Sequence, residues 1–279
     1  MKNNDIVKYL KCPCCRAEMT VSEDEKSLFC TGERRHCFDF SSKGYVNLAG
    51  SRGVTGDSKA AVQSRTDFLN RGYYEPIADM LVDILKKYKS QGLVVDAGCG
   101  EGYYTQKISD SGYKTLGLDL SKFGVHSTAS RLKCNVNDSV FACVASIFEI
   151  PLSDGSADAV LSIFAPCAEE EIGRVLTDDG IMIVVSAGRE HLMGLKKALY
   201  QTVYENEDRA DMPRGMSLLE KRSFRYSVKI KGNKDILNLF SMTPYYWRTS
   251  ISDRDKLLGF DVLETEIDIN FSVYKKETL

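Results

Sequence analysis

The chain has 279 residues, a hydrophobic content of 43% and a formal net charge of −2 at pH 7. This composition fits one large domain or two smaller ones, and no apolar run reaches the ~20 residues that span a bilayer. Residues 1–5 lack the apolar region of a signal peptide, so we expect a cytoplasmic protein with no membrane contact. The nine cysteines are then expected to be metal ligands and buried thiols rather than disulfides.

Cysteine and histidine residues near the N-terminus have the spacing of a structural zinc site. Two pairs of ligands, joined by a hairpin-length segment, follow the pattern C-x2-C-x14-C-x5-H. The predicted ligands are Cys12, Cys15, Cys30 and His36. Tetrahedral Zn2+ takes four nitrogen or sulfur ligands, and about 40 residues bury too little core to fold without such a staple. Cys14 and Cys37 are spare thiols that could replace a ligand, and reduced cysteines without metal are a further alternative.

A glycine- and serine-bearing segment, residues 49–56, follows this module and is predicted to be a flexible loop. Asp57 or Ser58 can cap the next helix, which carries Arg65 and Arg71 on its exposed face and ends at Gly72. Apolar residues with helical spacing then predict a second helix over 77–88, packed on a sheet.

The motif Asp-x-Gly-x-Gly-x-Gly, from Asp96 to Gly102, follows two β-branched valines. Its glycines allow positive φ and close approach of a ligand, at the N-terminus of a helix predicted over 105–111. A phosphate-binding loop would need Gly-Lys-Ser/Thr here, and the third glycine comes one residue early for a dinucleotide fingerprint. The motif resembles motif I of the class I S-adenosylmethionine-dependent methyltransferases.

Strand and helix patterns alternate downstream. Together with the resemblance to motif I and the N-terminal cysteine pattern, they predict an α/β fold with a Rossmann-like, doubly wound methyltransferase sheet and a small N-terminal zinc-ribbon module. After a first strand that runs into the glycine turn, the predicted strands are 114–119, 140–146, 158–164, 181–185 and 268–274, the last one antiparallel. Residues 176–180 are predicted to form the end of a helix and a turn. Asp119 ends the second strand, where α/β nucleotide sites place an acceptor for ribose hydroxyls, and a turn residue or a helix cap is its alternative.

Phe164-Ala165-Pro166-Cys167 follows the fourth predicted strand, at the edge where the ligand should lie. Methyltransferases acting on exocyclic amines carry Asn/Asp-Pro-Pro-Tyr/Phe at this point, so its absence is consistent with a ring nitrogen as the target. Phe164 is a candidate for stacking on a flipped base, with Ala165 and Pro166 in the same pocket, and core packing is its alternative. Cys167 as a covalent nucleophile is a further alternative, which a ring nitrogen does not require. No catalytic residue is assigned.

Several motifs occur here in one order. They are the zinc module, 44–48, the glycine turn, 165–167, 191–193 and 242–244. Together they resemble the 23S ribosomal RNA (guanine-N1)-methyltransferase family over nearly the whole chain. The resemblance implies methyl transfer from S-adenosylmethionine to N1 of a guanine in 23S rRNA and structural Zn2+ on the four ligands named above. It also implies homodimers whose zinc modules help to form an RNA-binding cleft.

The same resemblance implies which residues contact the methyl donor. They are Tyr74, Asp96, Gly98, Gly100, Glu101, Asp119, Ala145, Ser146 and His191. Core packing is the alternative for Tyr74, and an ordinary surface histidine is the alternative for His191.

The expected partner is a hairpin loop of 23S rRNA, because RNA-binding proteins usually recognise unstacked loop bases. Basic residues near the zinc module are expected to contact it, namely Arg16, Arg34, Arg35 and Lys43. The aromatic segment 242–248 could line the substrate side, with packing on the sheet as its alternative. The predicted domains are a zinc-binding RNA-recognition module (1–48), a linker and helix (49–72) and the methyltransferase domain (73–279). The alternative functions are methyl transfer to another RNA or a small molecule, and a non-catalytic zinc-ribbon RNA-binding adaptor.

Overall fold

Two β-sheets of different size organise the chain. The computed structural model describes residues 5–49, 56–134, 139–207 and 213–277. The small sheet is antiparallel, and its strands in spatial order are β1 (Met19–Val21), β2 (Ser27–Cys30) and β3 (Cys37–Asp39). Strands of three or four residues bury few side chains, so this sheet depends on a further source of stability.

The large sheet contains eight strands of the described residues. In spatial order they are β10 (Met216–Lys231), β11 (Val262–Lys276), β9 (Leu176–Ala187), β8 (Ala157–Ile163), β5 (Leu93–Ala97), β6 (Lys114–Asp119), β7 (Val140–Val144) and β4 (Val46–Asn47). β11 is antiparallel to both of its neighbours, and the other pairings are parallel. The strand order reverses between β5 and β8. Open α/β sheets bind ligands at such a reversal, outside the carboxyl ends of the strands.

Helices cover both faces of the large sheet. Those in the described residues are α1 (Lys59–Leu69), α2 (Glu75–Tyr88), α3 (Tyr103–Asp110), α4 (Lys122–Leu132), α5 (Glu169–Val175), α6 (Met193–Leu199), α7 (Asn233–Ser241), α8 (Tyr245–Arg248) and α9 (Ile251–Asp255). Short 3-10 helices span Val7–Tyr9 and Lys256–Gly259. One hydrophobic cluster joins α1, α2, α6 and α7 to one face, and a second joins the N-terminal segment and α5 to the other. None of the helices described here has the length and apolar character needed to cross a bilayer.

Helix α2 illustrates why these elements form where they do. Pro76 lies in its first turn, where no intrahelical bond is lost, and Lys86 and Lys87 lie in its last turn, where positive charge is favoured. Its buried residues recur at helical spacing and are Ile77, Ala78, Leu81, Val82, Ile84 and Leu85. The helix predicted over 77–88 is therefore confirmed, and it begins two residues earlier.

The N-terminal module is attached to the large sheet by apolar packing and hydrogen bonds. Ile6 and Leu10 are fully buried in the cluster on one face of that sheet. Arg16 donates from its two terminal nitrogens to the carbonyl oxygens of Ile150 (3.3 Å) and Leu152 (3.0 Å). An arginine expected to contact RNA is therefore used to join the two regions.

Strand β4 lies inside the predicted module 1–48, yet it pairs in parallel with β7 of the large sheet. The loop predicted over 49–56 lies mostly outside the described residues, at 50–55. The helix after it is confirmed as α1. Ser58, rather than Asp57, caps this helix by accepting a hydrogen bond from the N–H of Ala61 at 3.2 Å.

The predicted strands are confirmed, with β6 covering residues 114–119 and the others overlapping β7, β8, β9 and β11. The prediction for residues 176–180 is wrong, because they begin β9 directly after α5. Leu176 already pairs with Ala157 of β8, and this pairing ends the helix one residue earlier. Strand β10, at the edge of the sheet, was not predicted, although apolar and polar residues alternate over 224–231.

Candidate active site and metal site

The glycine turn joins β5 to α3 at the carboxyl edge of the large sheet. The N–H groups of Gly98 and Cys99 both donate to the carbonyl oxygen of Leu118, at 2.8 and 3.0 Å. Gly98 has φ +91°, and a Cβ atom there would lie 2.9 Å from the Cβ of Ala165. Glycine is therefore required by both conformation and space. This contact also joins the predicted donor turn to the predicted substrate-base segment.

Asp119 is held against this turn by both carboxylate oxygens. Oδ2 accepts the N–H of Gly100 at 3.0 Å, and Oδ1 accepts the N–H of Ser121 at 2.7 Å. Burial raises the pKa of Asp119, and these two backbone hydrogen bonds act against the increase. Ser121 itself caps α4, so Asp119 is not the helix cap. Each oxygen retains capacity for a further hydrogen bond, as an acceptor for ribose hydroxyls requires.

Asp96 is buried below the turn. Its Oδ2 accepts the hydroxyl of Thr105 at 2.6 Å, whereas Oδ1 has no hydrogen-bond partner within the part of the chain that the structure describes. Burial raises the pKa of Asp96 to about 7, with small contributions from the neighbouring carboxylates. A buried oxygen without a partner is unfavourable, so a ligand or a proton would be stabilised there.

Glu101 is almost fully buried, and it binds protein groups on three sides. Its Oε1 accepts the N–H of Tyr103 at 3.1 Å, and Oε2 pairs with Arg131 and lies 3.4 Å from the hydroxyl of Thr66. The side chain thus joins α1, α3 and α4 beneath the turn. Glu101 was predicted to contact the donor. In the structure its carboxylate binds other groups of the protein.

Tyr74 and His191 are buried side by side, with 3.5 Å between the tyrosine hydroxyl and Nε2. The N–H of Asp268 donates to His191 Nδ1 at 3.3 Å, so the ring proton lies on Nε2, facing Tyr74. Burial and the charge of Lys196 lower the pKa of His191 to about 4, which leaves the ring neutral at physiological pH. His191 is therefore not an ordinary surface histidine. Tyr74 also packs on Phe68, so the alternative of core packing holds for part of its surroundings.

Phe164 lies at the end of β8 in a left-handed conformation, with φ +52°. A non-glycine residue in this region is strained by about 1–2 kcal/mol. Its ring is 46% exposed and stacks on His191, with 18° between the ring planes and 6.2 Å between centroids. The Ser162 hydroxyl lies within hydrogen-bond distance of the carbonyl oxygens of Ala165 and Pro166, which holds this segment in place. Core packing of Phe164 is therefore excluded.

Ala145, Ser146 and Cys167 follow β7 and β8 at the same carboxyl edge of the sheet. The N–H of Ala145 donates to the carbonyl oxygen of Asp119 at 3.1 Å, and the Ser146 hydroxyl accepts the N–H of Phe148. Burial raises the pKa of Cys167 to about 11, so its thiol is protonated at neutral pH. That protonation state argues against Cys167 as a nucleophile.

Arg65 and Asp57 also reach this edge, although the sequence predicted Arg65 on an exposed helix face. Arg65 Nη1 forms a 2.5 Å ion pair with Asp57, and it lies 3.4 Å from the position of a Cβ built on Gly100. The Arg65 side chain is 27% exposed. No local pattern in the sequence signals this contact, because it depends on how α1 crosses the turn.

The four predicted zinc ligands converge in the N-terminal module, with all ligand atoms within 4.8 Å of one another. Sulfur atoms of Cys15 and Cys30 are 3.7 Å apart, and His36 Nδ1 is 3.5 Å from the sulfurs of Cys12 and Cys30. For Zn–S bonds of about 2.3 Å and Zn–N bonds of about 2.0 Å, a tetrahedron gives edges of ~3.8 and ~3.5 Å. The cluster therefore has the dimensions of a tetrahedral zinc site.

The spare thiols do not belong to this cluster. Cys14 is exposed, and the Cys37 sulfur lies 3.8 Å from a carboxylate oxygen of Asp39. His36 therefore completes the set, despite its wider spacing from Cys30.

The basic residues predicted to meet RNA beside the zinc ligands are on the surface. Arg34, Arg35 and Lys43 are exposed, and the Arg35 guanidinium also lies over the Phe29 ring, 5.2 Å from its centroid. Trp247 in segment 242–248 is 79% exposed, so this part of the segment is not packed on the sheet.

The sequence is similar to those of known methyltransferases. Residues 89–237 match the family model of a methyltransferase domain. The Bacillus subtilis (strain 168) protein YxjB, provisionally named a 23S rRNA (guanine-N(1)-)-methyltransferase, is 30% identical over 92% of this chain and 93% of its own length. The 23S rRNA (guanine(748)-N(1))-methyltransferase of Streptomyces fradiae is 32% identical over 71% of this chain and 70% of its own. The solved structure of YcgJ from Bacillus subtilis has a TM-score of 0.49 and 12% identity, covering 72% of this chain and 98% of that one.

Proposed function

Because the chain belongs to the 23S ribosomal RNA (guanine-N1)-methyltransferase family, we propose that it transfers a methyl group from S-adenosylmethionine to N1 of a guanine in 23S rRNA. The observation that carries this proposal is the strained, half-exposed Phe164 beside the glycine turn. An aromatic ring held open to solvent at this edge can stack on a base taken out of its own stack. The contact between Ala165 and Gly98 brings that ring next to the donor turn.

The donor site in this proposal consists of the glycine turn, Asp119 and the groups around them. Its residues are Tyr74, Asp96, Gly98, Gly100, Asp119, Ala145, Ser146 and His191, with Glu101 supporting the turn from beneath. S-adenosylmethionine, when bound, supplies an electrophilic methyl group on a sulfonium. Two observations support a cationic ligand with ribose hydroxyls over a phosphate. Asp96 keeps an unpartnered oxygen, and the N–H groups of Gly100 and Tyr103 are already bound by carboxylates.

The chain's own groups position the acceptor base. Phe164 supplies a ring face, and the His191 ring stacked behind it limits how far Phe164 can rotate. Guanine N1 carries a proton that must be lost before or during methyl transfer. His191 is a poor base for that proton, because its Nδ1 already accepts a hydrogen bond and burial keeps its pKa near 4. Positioning of the base against the donor is therefore expected to supply most of the rate enhancement.

We assign Zn2+ to Cys12, Cys15, Cys30 and His36 as a structural ion. Four protein ligands leave no open coordination position, so the ion would stabilise the module without taking part in methyl transfer. The exposed Arg34 and Lys43 near this cluster are proposed to contact phosphates of a 23S rRNA hairpin loop.

We also propose that the protein is a homodimer. Because its proposed substrate is ribosomal RNA, we place it in the cytoplasm. Light scattering on the purified protein should give the mass of two chains. A mass of one chain at micromolar concentration would remove the dimer from the proposal without affecting the reaction.

A methyl-transfer assay tests the proposal directly. Purified protein is incubated with S-adenosylmethionine and transcripts of 23S rRNA hairpins, and the nucleosides are identified by mass spectrometry after digestion. We expect 1-methylguanosine in one transcript, and a strongly reduced yield with the Phe164→Ala variant. Donor binding by calorimetry without methylation of any rRNA transcript would favour a small-molecule substrate. Absence of donor binding would favour the non-catalytic adaptor.

A further inference from the structure

The donor site described above leaves one charged group of S-adenosylmethionine without an assigned partner. The amino-acid end of this molecule carries a carboxylate as well as an ammonium group. Helix N-termini and glycine turns often bind such anions through free N–H groups. Here Asp119 accepts the N–H of Gly100, and Glu101 accepts the N–H of Tyr103 at the start of α3. Two protein carboxylates therefore occupy N–H groups that could otherwise bind an anionic ligand.

A positively charged side chain beside the turn could bind the ligand carboxylate in place of these occupied N–H groups. Arg65 is the guanidinium in the described residues that reaches Gly100 from above, with Nη1 3.4 Å from the position of a Cβ on that glycine. The other arginine at the turn, Arg131, donates hydrogen bonds to the main-chain and side-chain oxygens of Glu101.

Arg65 is held in place by its surroundings. Its Nη1 pairs with Asp57 at 2.5 Å, and the carbonyl oxygen of Asp57 accepts the Ser121 hydroxyl at 2.9 Å. The next residue in α1, Thr66, is bonded toward Glu101, which fixes the helix against the turn. A guanidinium has five N–H donors, so the pair with Asp57 leaves others able to bind a second carboxylate.

We propose that Arg65 is the carboxylate-binding residue of the donor site, recognising the amino-acid end of S-adenosylmethionine above Gly100. This inference rests on the proposed function, because it requires that the donor binds at the glycine turn. In this arrangement Asp57 orients the guanidinium, and α1 contributes directly to the choice of donor. A ligand without the carboxylate should therefore bind less well.

The test compares two ligands by titration calorimetry, S-adenosylmethionine and its decarboxylated form, which lacks only the carboxylate. Hydrogen bonds to charged groups contribute enough that the wild-type protein should prefer the carboxylate form by roughly tenfold or more. Arg65→Gln should reduce this preference to less than about threefold. Arg71→Gln is the matched control, because Arg71 lies two residues after α1 and pairs with Asp235 instead.

The ratio of the affinities for the two ligands distinguishes carboxylate binding by Arg65 from a purely structural role of Arg65. If Arg65 only held α1 in place, Arg65→Gln would weaken both ligands equally and the wild-type ratio would remain, which would overturn the inference. Arg65→Lys, measured in parallel, keeps the charge with fewer donors and should give an intermediate ratio; an unchanged ratio would also overturn it. If the wild-type protein binds neither ligand, the proposed function itself fails, and if it binds both equally, only this inference does.

Discussion

The donor edge of the large sheet and the cysteine–histidine cluster of the N-terminal module are built in different ways. At the donor edge, backbone N–H groups and buried carboxylates hold one another, on strands whose core residues Val95 and Leu116 are fully buried. In the module, the four ligand side chains have one another as neighbours, and only Cys30 lies in one of the strands of three or four residues. The first site is therefore preformed by contacts within the protein, whereas we propose that the second depends on a bound zinc ion.

The largest effect should come from removing one zinc ligand. Cys15→Ser should lose the bound zinc and the hydrogen-exchange protection of β1–β3, because a structural zinc ion contributes on the order of 10 kcal/mol to such modules. Affinity for S-adenosylmethionine should change less than about threefold, since the N–H groups and carboxylates of the donor turn bind one another rather than the module. Cys14→Ser is the control, one residue away and outside the cluster. Joint loss of zinc and donor binding would show that the two regions are not independent.

The donor edge should show a pH dependence of its own, which comes from Asp96. The folded pKa of Asp96, about 7, lies above its ordinary value of 3.8, so the folded state binds the extra proton. Stability should therefore fall as pH rises from about 4 to 7 and then level off. Asp96→Asn should remove up to roughly 4 kcal/mol of this fall. Denaturation of both proteins across this range measures the difference, and parallel curves would contradict the assignment.

A smaller effect is expected from Asp119→Ala. This change removes the acceptor proposed for the ribose hydroxyls and also frees the N–H of Gly100. Donor affinity should fall about 10- to 100-fold, because hydrogen bonds to a charged group contribute about 1.5–3 kcal/mol. Asp79→Ala, an exposed carboxylate on α2, serves as the control in the same calorimetry. Unchanged affinity would remove Asp119 from the donor site.

The smallest expected effect is a difference in stability between two variants of Phe164, which measures the backbone strain at this residue. Phe164→Gly and Phe164→Ala both remove the ring, but only glycine is unstrained at φ +52°. The glycine variant should therefore be more stable than the alanine variant by about 1 kcal/mol in urea denaturation. Both should lower methyl transfer at least tenfold with little change in donor affinity. Equal stability of the two variants would mean that the left-handed conformation is not retained.

The two regions also differ in how far the sequence predicts them. The cysteine–histidine cluster and the glycine turn could be predicted because their residue types and spacing are dictated by local geometry. The same holds for β6 and Asp119, where a buried strand ends in a carboxylate. A short motif is enough when the chemistry lies within a few consecutive residues.

Features that depend on packing between distant elements were not found in this way. The burial of Glu101 against Arg131 and the ion pair of Arg65 with Asp57 arise from how α1 and α4 cross the turn. Residues 176–180 looked like a helix end and a turn, but pairing of Leu176 with Ala157 draws them into β9. At residues 176–180, a tertiary contact therefore overrides the local propensity.

Mass spectrometry of 23S rRNA from cells with and without this protein tests the central claim most directly. We predict that one 1-methylguanosine is lost in its absence and returns on expression of the wild-type chain but not of Asp119→Ala. An unchanged map of methylated guanines in cells that lack the protein would contradict the proposed substrate.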